Sequence, residues 1–159
     1  MLIFRITLKR YAHELFAPGV SGRWNSDGKK VIYAASSVSL AIMENLVRRN
    51  GYGFNVDFAI MVIEVPDHIS IVTYTLENLP PGWNDPGSYA VSQPVGDAWY
   101  DSMKTPVLKV PSAVVPQEFN CVLNSLHPDY VHIKLIAVTK FVPDKRIEEI
   151  LKQHSITKR

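Results

Sequence analysis

The chain has 159 residues, a length that suits one domain with a proper hydrophobic core. It is 47% hydrophobic and 20% charged, a balance that argues against intrinsic disorder. The formal net charge is +2 and no basic patch stands out, so the composition does not indicate a nucleic-acid-binding protein. Cys121 is the only cysteine, which rules out an intrachain disulfide and fits a reducing compartment.

Strand and loop patterns alternate through the first part of the chain. Residues 2–8 alternate imperfectly between apolar and polar side chains and predict a first strand. Residues 11–30 carry glycine and proline turn signals and predict a loop. Within that loop, Arg23 offers a planar fork of donors that suits a phosphate or a carboxylate, although a surface ion pair is the commoner use of such an arginine. Residues 31–34 predict a second, short strand.

A helix is predicted directly after the second strand. Ser36 or Ser37 is expected to cap it, and the helix should run to about Arg49, where Asn50 and a glycine supply the stop. Its apolar side chains repeat at i, i+3 and i+7. This spacing predicts a core-facing stripe formed by Leu40, Met43 and Val47.

Glu44 lies at the border of that predicted stripe. An i,i+4 ion pair with Arg48 on a solvated face would account for it. The alternative is that Glu44 points into a cleft, because its helix begins directly after the strand that carries Tyr33. The two side chains could then face one opening.

The second half of the chain is strand-rich, with one long irregular segment. Residues 77–95 contain tandem proline and glycine turns and predict a lid or rim. Asp97 is expected to cap a short helix. The remaining elements are predicted as strands at 58–65, 69–72, 107–110 and 135–142, followed by a helix from Asp144 to about Gln153 with Ile147, Ile150 and Leu151 inward. Because strands and helices do not alternate regularly, the pattern predicts an α+β fold: a compact single domain with a mixed sheet and few helices.

The stretch from Val110 to Asn124 is apolar and β-branched, but two prolines interrupt it, so each proline marks an edge or a bend. Ser112 lies between the prolines and Asn120 follows them. Buried hydroxyl and amide groups are costly without partners. Ser112 and Asn120 therefore either satisfy bent backbone or line a pocket and face a ligand.

The sequence contains no nucleophile elbow, phosphate-binding loop or zinc-protease motif. His127 and His132 lack a third ligand, so no metal site is predicted. The longest apolar run, Phe58 to Ile63, is too short to span a bilayer, and the N-terminus lacks the order of a secretory signal. We expect a cytoplasmic protein that does not associate with membranes.

Five blocks of sequence, in order from residue 22 to about residue 129, resemble the RES-domain toxins of bacterial Xre–RES toxin–antitoxin systems. The family takes its name from an Arg, a Glu and a Ser, which here would be Arg23, Glu44 and Ser112. Ser125 departs from the pattern, because a proline is expected after the asparagine. The blocks are Gly22–Asn25; Tyr33–Ser36; Leu40, Ala41 and Glu44; Gly96–Trp99; and Val110–Val114 with Glu118, Asn120, Asn124 and His127–Asp129.

The resemblance implies one RES domain over residues 1–159, with a fold similar to that of ADP-ribosyltransferases. It implies a toxin that depletes cellular NAD+ by cleaving the nicotinamide–ribose bond, so that NAD+ is a substrate and no cofactor is needed. It further implies an Xre-like helix-turn-helix antitoxin that occludes the active site and binds DNA, so the toxin itself is not expected to bind DNA.

Several alternatives stay open at the level of the sequence. The acceptor of the ADP-ribosyl group is water in a glycohydrolase, phosphate as co-substrate in a phosphorylase, or a protein side chain in a mono-ADP-ribosyltransferase. An inactive module that retains the pocket for a nucleotide or a partner is a further alternative. A homodimer within the toxin–antitoxin complex is also left open.

The resemblance assigns each proposed residue a role that its chemistry permits. Cleavage passes through an oxocarbenium-like state and releases neutral nicotinamide, so one carboxylate suffices, and Glu44 fits that need. Tyr33 can stack on the nicotinamide ring, and Arg23 can grip the pyrophosphate. Ser112 and Asn120 can hydrogen-bond the ribose or the carboxamide. The predicted NAD+ site is thus Arg23, Tyr33, Glu44, Ser112 and Asn120.

Overall fold

A mixed β-sheet forms the centre of the protein, and the computed structural model describes residues 1–50, 57–147 and 149 of it. The chain forms two α-helices, α1 (Val38–Arg48) and α2 (Ser92–Ser102), and two short 3₁₀ turns, at Lys9–Tyr11 and Pro128–His132. The strands are β1 (Leu2–Leu8), β2 (Val31–Ala35), β3 (Phe58–Glu64), β4 (Ile71–Thr73), β5 (Val107–Pro111), β6 (Phe119–Asn124) and β7 (Lys134–Lys140).

The strands lie in the order β4-β5-β6-β2-β1-β3-β7. Neighbouring strands run antiparallel except β4 and β5, which are parallel. The stretch that contains Ser112 and Asn120 becomes the β5–β6 hairpin, with Val110 opposite Asn120. The predicted α+β class is confirmed.

Apolar side chains cover both faces of the sheet. One face buries aliphatic residues from several strands, such as Ile3, Ile32 and Met61. On the other face lie two further clusters, one of which is rich in tryptophan and includes α2, while the other lies beneath α1. Side chains alternate between the faces along a strand, so the face that α1 covers receives alternate residues of β2 and β6.

The sheet is split at its centre, between β1 and β2. These two strands form a single residue pair, Phe4 with Ala35. By contrast, β1 forms seven pairs with β3, and β2 forms five with β6. Residues 5–8 of β1 pair only with β3, and residues 31–34 of β2 pair only with β6. Helix α1, which carries Glu44, packs over this opening, because its Leu40 and Ala41 share an apolar cluster with Ile6 of β1 and Ala35 of β2.

The predicted core stripe of α1 is confirmed for Leu40 and wrong for Met43 and Val47. Met43 and Val47 are 43% and 55% exposed, whereas Leu40, Ala41 and Asn45 are buried. The inward line follows the i,i+4 pair Ala41 and Asn45, and a pattern based on apolar residues misses it because Asn45 is polar. Of the two predicted N-caps, Ser36 and Ser37, the structure confirms Ser37. Its side chain accepts a hydrogen bond from the backbone N–H of Leu40.

The predicted start of the second helix is also wrong. The helix begins at Ser92 rather than Asp97, and Pro94 fits in its first turn, where a missing backbone N–H costs little. Asp97 lies within α2 and accepts a hydrogen bond from the Ser26 backbone N–H at 2.9 Å. The turn-rich segment before α2 is a packed rim, because Leu79 and Trp83 are buried in it.

The C-terminal elements match the prediction in part. Strand β7 ends at Lys140, two residues before the predicted end. Residues 145–147 and 149 are helical, in agreement with the expected terminal helix, but Ile150, Leu151 and the rest of that helix lie outside the described residues. Within the described chain, neither α-helix combines the length and the apolarity needed to cross a lipid bilayer.

Candidate active site

Helix α1 presents Glu44 to the β5–β6 hairpin. The Ser112 hydroxyl donates to Glu44 Oε1 at 2.7 Å, and the Asn120 side-chain amide donates a second hydrogen bond to the same oxygen. Within the described part of the chain, Oε2 accepts no hydrogen bond and Arg48 forms no ion pair. The carboxylate is therefore fixed through one oxygen, which leaves the other for a ligand.

Ser112 is buried and fixed from its own side of the site. Its Oγ accepts hydrogen bonds from the backbone N–H groups of Val114 and Val115, both at 3.0 Å. The hydroxyl thus both satisfies the bend after β5 and donates to Glu44, so the two readings of this residue are compatible. The contact that the structure shows for Ser112 is with Glu44, and a direct contact with ribose or carboxamide stays a prediction.

A second set of bonds ties the start of α1 to the same hairpin. Ser37, the N-cap, donates to Glu118 Oε2 at 2.5 Å. The Glu118 carbonyl oxygen in turn accepts from the Ser112 backbone N–H at 2.9 Å. Because Ser112 fixes Glu44, these bonds hold the helix and the turn that carry the two residues in one relative position.

Tyr33 lies on the sheet face that carries Asn120, since β2 and β6 pair Tyr33 with Val122 and Ala35 with Asn120. Its hydroxyl donates to Asn25 Oδ1 at 2.7 Å and accepts from the Trp24 backbone N–H at 2.9 Å. Burial raises the pKa of Tyr33 well above the usual tyrosine value, so the phenol is neutral. With the hydroxyl engaged, the ring is the part of Tyr33 that can meet a ligand.

Arg23 is fixed on the rim rather than in a surface ion pair. Its Nη1 donates to the carbonyl oxygens of Trp83 and Asp85, at 2.8 and 3.1 Å, and its guanidinium lies 4.8 Å from the centre of the Tyr89 ring. Neither Nε nor Nη2 donates to a described residue. One edge of the guanidinium thus keeps two donors for an anion, and no described contact joins Arg23 to Glu44.

Two residues that the sequence did not single out hold the Arg23 loop. Asn25 is fully buried, and its side-chain amide donates to the Val20 carbonyl at 2.9 Å while Oδ1 accepts from Tyr33. Gln93 Nε2 donates to three oxygens of that loop, including the Gly22 carbonyl at 2.9 Å. Asn25 lies within a recognised block, but Gln93 gave no signal because its partners are about 70 residues away in the chain.

The histidines form no metal centre within the described chain, where no three side chains of His, Cys, Asp or Glu come together. His127 caps the 3₁₀ turn that follows β6, and its Nδ1 accepts from the Asp129 backbone N–H at 3.1 Å. Asn124 is also structural, since its amide donates to the Tyr100 carbonyl at 3.2 Å.

We predict that Arg23→Ala raises KM for NAD+ by roughly 10-fold or more, because the loss of a charge-assisted fork typically costs more than that of a neutral hydrogen bond. Arg23→Lys should not restore KM, because lysine has a point charge and lacks the planar fork. Initial rates of nicotinamide release over a range of NAD+ concentrations check this. Wild-type kinetics for Arg23→Lys would show that the arginine does not grip a phosphate through its fork.

Comparisons with known proteins identify the family of this chain. The family model described as "RES domain" matches residues 2–145. The chain is 41% identical over 128 residues to the "Prs ADP-ribosylating toxin" of Sphingobium sp. (strain YBL2), which covers 79% of this chain and 80% of that protein. It is 32% identical over 152 residues to "Toxin Res" of Photorhabdus laumondii, which covers 92% of this chain and 97% of the relative.

A solved structure shows the same fold. A chain of the crystal structure of the M. tuberculosis MbcT–MbcA toxin–antitoxin complex superposes with a TM-score of 0.72 and 18% sequence identity, and the match covers 95% of this chain and 88% of the other. At this identity the likeness concerns the fold. The family model and the curated relatives together establish that this chain belongs to the RES-domain family of toxins.

Proposed function

We propose that this protein is a toxin that cleaves the nicotinamide–ribose bond of NAD+ and thereby depletes the cell of NAD+. The observation that carries the proposal is the Glu44 carboxylate, which two side chains fix through Oε1 while Oε2 accepts no hydrogen bond from any described residue. Two further groups support the proposal: the Tyr33 ring, on the sheet face that carries Asn120, and Arg23 on the rim, whose Nε and Nη2 donate to no described residue. These are the groups that a cationic sugar, a nicotinamide ring and a pyrophosphate require.

The reaction needs little beyond charge stabilisation. As the bond between ribose C1 and the nicotinamide nitrogen breaks, the electron pair stays with the nitrogen, and the ring leaves as neutral nicotinamide. The ribose becomes oxocarbenium-like, and the negative charge of Glu44 stabilises it. The acceptor oxygen then bonds to C1 and loses its proton, for which Glu44 Oε2 is a suitable base. Ser112 and Asn120 keep the carboxylate in place during both steps.

The acceptor distinguishes the candidate activities. Water gives free ADP-ribose and makes the protein a glycohydrolase, whereas phosphate gives ADP-ribose 1″-phosphate and makes it a phosphorylase. A protein acceptor is the second candidate, because a relative that is 41% identical over most of its length is named an ADP-ribosylating toxin. Cleavage of the nicotinamide–ribose bond is common to all three.

Mass spectrometry of one set of incubations tests the proposal. The purified protein is mixed with NAD+, with and without phosphate, and with and without a lysate of a bacterium that lacks the toxin. We expect nicotinamide in each mixture that contains the acceptor, together with the ADP-ribosyl product of that acceptor. If no mixture releases nicotinamide, the NAD+ proposal is wrong. If nicotinamide appears only with lysate and a protein gains an ADP-ribosyl group, the transferase is correct.

We further propose that a helix-turn-helix antitoxin of the Xre type neutralises this toxin in the cytoplasm by covering the site. The structural neighbour belongs to a toxin–antitoxin complex, which supports an antitoxin partner. The free edge of Arg23 would accept a carboxylate as readily as a phosphate, so an acidic side chain or a C-terminal carboxylate of the antitoxin is the expected plug. In this scheme the antitoxin, rather than this chain, contacts DNA.

Co-expression checks this plug. We expect the full-length product of the neighbouring reading frame to restore growth, and the same product shortened at its C-terminus to lose neutralisation. Binding and growth are measured separately, because a shortened antitoxin can still attach elsewhere. Full neutralisation by the shortened antitoxin would place inhibition outside the Arg23 site.

A further inference from the structure

At the split between β1 and β2, side chains form hydrogen bonds with backbone carbonyls that the two strands do not form with each other. If the pairing of Phe4 with Ala35 continued in register, Arg5 would lie opposite Ala34 and then Ile6 opposite Tyr33, the next pair of the same hydrogen-bonding type. In an antiparallel pair both backbone groups of a residue point to the same side, so the carbonyl oxygen of each residue, Ile6 and Tyr33, should accept a hydrogen bond from the backbone N–H of the other. The two carbonyl oxygens bond to side chains instead.

Two residues supply these bonds. Arg5 Nη1 donates to the Tyr33 carbonyl oxygen at 2.9 Å, and Asn45 Nδ2 donates to the Ile6 carbonyl oxygen at 3.3 Å. Each side chain thus caps one edge of the opening. Buried strand carbonyls without partners would be costly, so these donors allow the two strands to remain apart.

Both residues carry a cost that packing alone does not explain. Asn45 is 9% exposed, and its Oδ1 is buried without a hydrogen-bond partner in the described part of the chain. Burial, and secondarily the charge of Arg48, lowers the pKa of Arg5 to about 10, and no described carboxylate forms an ion pair with it. A leucine and a methionine would avoid both costs, so the property that these positions use is the N–H donor.

Asn45 follows Glu44 in α1, and this adjacency connects the split to the site. Asn45 bonds to β1, which belongs to the part of the sheet formed with β3 and β7. Glu44 bonds to Ser112 and Asn120 on the other side of the split, in the part formed by β2, β6, β5 and β4. Two consecutive residues of one helix therefore attach to the two halves of the sheet.

We propose that Arg5 and Asn45 are positioning residues that keep β1 and β2 apart and so set the width of the substrate site beside Glu44. This inference rests on the proposed cleavage of NAD+. Without the Asn45 bond, α1 would lose a polar anchor on the β1 side, where it also packs through Leu40 and Ala41, and the Ile6 carbonyl would need another partner. Displacements of this kind at a reacting centre typically cost about 100-fold in rate per ångström.

The test uses Asn45→Leu and Arg5→Met, with Met43→Ala on the exposed side of α1 as the matched control. We expect the first two variants to lose about 10- to 100-fold in kcat/KM for NAD+. Each change removes a buried polar group but leaves a strand carbonyl without its donor, so we expect a modest fall in melting temperature and variants that stay folded at the temperature of the assay. Arg5→Lys, which keeps one donor for the Tyr33 carbonyl, should recover part of the loss.

Amide hydrogen exchange gives a reading that does not depend on activity. We expect Asn45→Leu and Arg5→Met to change protection at residues 5–8 and 31–34, and Met43→Ala to leave it unchanged. An active wild type combined with wild-type kinetics for Asn45→Leu and Arg5→Met overturns the inference, as does unchanged exchange in both variants. An inactive wild type overturns the proposed function instead, and the exchange data then decide separately whether these side chains hold the split.

Discussion

We expect Glu44→Gln to reduce NAD+ turnover by about 100-fold or more, since removal of one preorganised electrostatic group at a reacting centre typically costs this much. Glutamine has the shape of glutamate, and its side-chain oxygen can still accept from Ser112 and Asn120. The variant therefore keeps the hydrogen bonds of the site and loses its negative charge. Nicotinamide release by the purified protein and NAD+ content of expressing cells measure the effect.

The control for this change is Glu64→Gln. Glu64 is an exposed carboxylate at the end of β3, and its replacement alters the net charge of the protein by the same amount. We expect it to keep full turnover and toxicity. Thermal unfolding of both variants confirms that they are folded. A folded Glu44→Gln variant that still empties cells of NAD+ would remove Glu44 from the mechanism.

The position of Glu44 could be predicted from the sequence, but its partners could not. Helical spacing places the residue at the edge of a buried face, and the structure agrees. Its hydrogen bonds reach Ser112 and Asn120, which are 68 and 76 residues away in the chain. No local pattern contains that information. Only the resemblance to a family brought the three residues together, and it did not indicate that the serine and the asparagine both act on the carboxylate.

Strand positions were predicted well, because apolar runs and turn residues are local signals. Strand order is different, since it depends on which segments meet in the folded chain. The split between β1 and β2 follows from that order and from the single pair Phe4–Ala35, so the sequence gives no sign of it. Arg5 accordingly looked like an ordinary polar residue of an alternating strand.

Both errors in the helices have a tertiary cause. Asn45 faces the sheet because the Ile6 carbonyl offers it a hydrogen-bond partner, and a hydrophobic pattern counts it as exposed. Asp97 looks like an N-cap because it is an acidic residue after a glycine. Its carboxylate does accept a backbone N–H, but that N–H belongs to Ser26, 71 residues earlier in the chain.

The contact between α2 and the Arg23 loop suggests a change with a large effect, Gly96→Ala. A Cβ atom at Gly96 would lie 1.9 Å from the backbone carbonyl oxygen of Trp24. Backbone atoms cannot move aside as a flexible side chain can, so either α2 or the loop must shift. On a free helix the same substitution would stabilise the protein by about 0.5–1 kcal/mol. The sign of the change in stability therefore tests the contact.

We expect Gly96→Ala to destabilise the protein by about 1–3 kcal/mol, the usual cost of overpacking. For a chain of this length, that corresponds to a fall in melting temperature of roughly 2–12 °C. NAD+ turnover should fall as well, because the shift displaces the loop that carries Arg23. Gly87→Ala is the matched control: its added Cβ would meet only the flexible Asp85 side chain, at 3.4 Å, and it should melt within about 0.5 kcal/mol of the wild type. A Gly96→Ala variant that is more stable than the wild type would show that α2 does not press against Trp24.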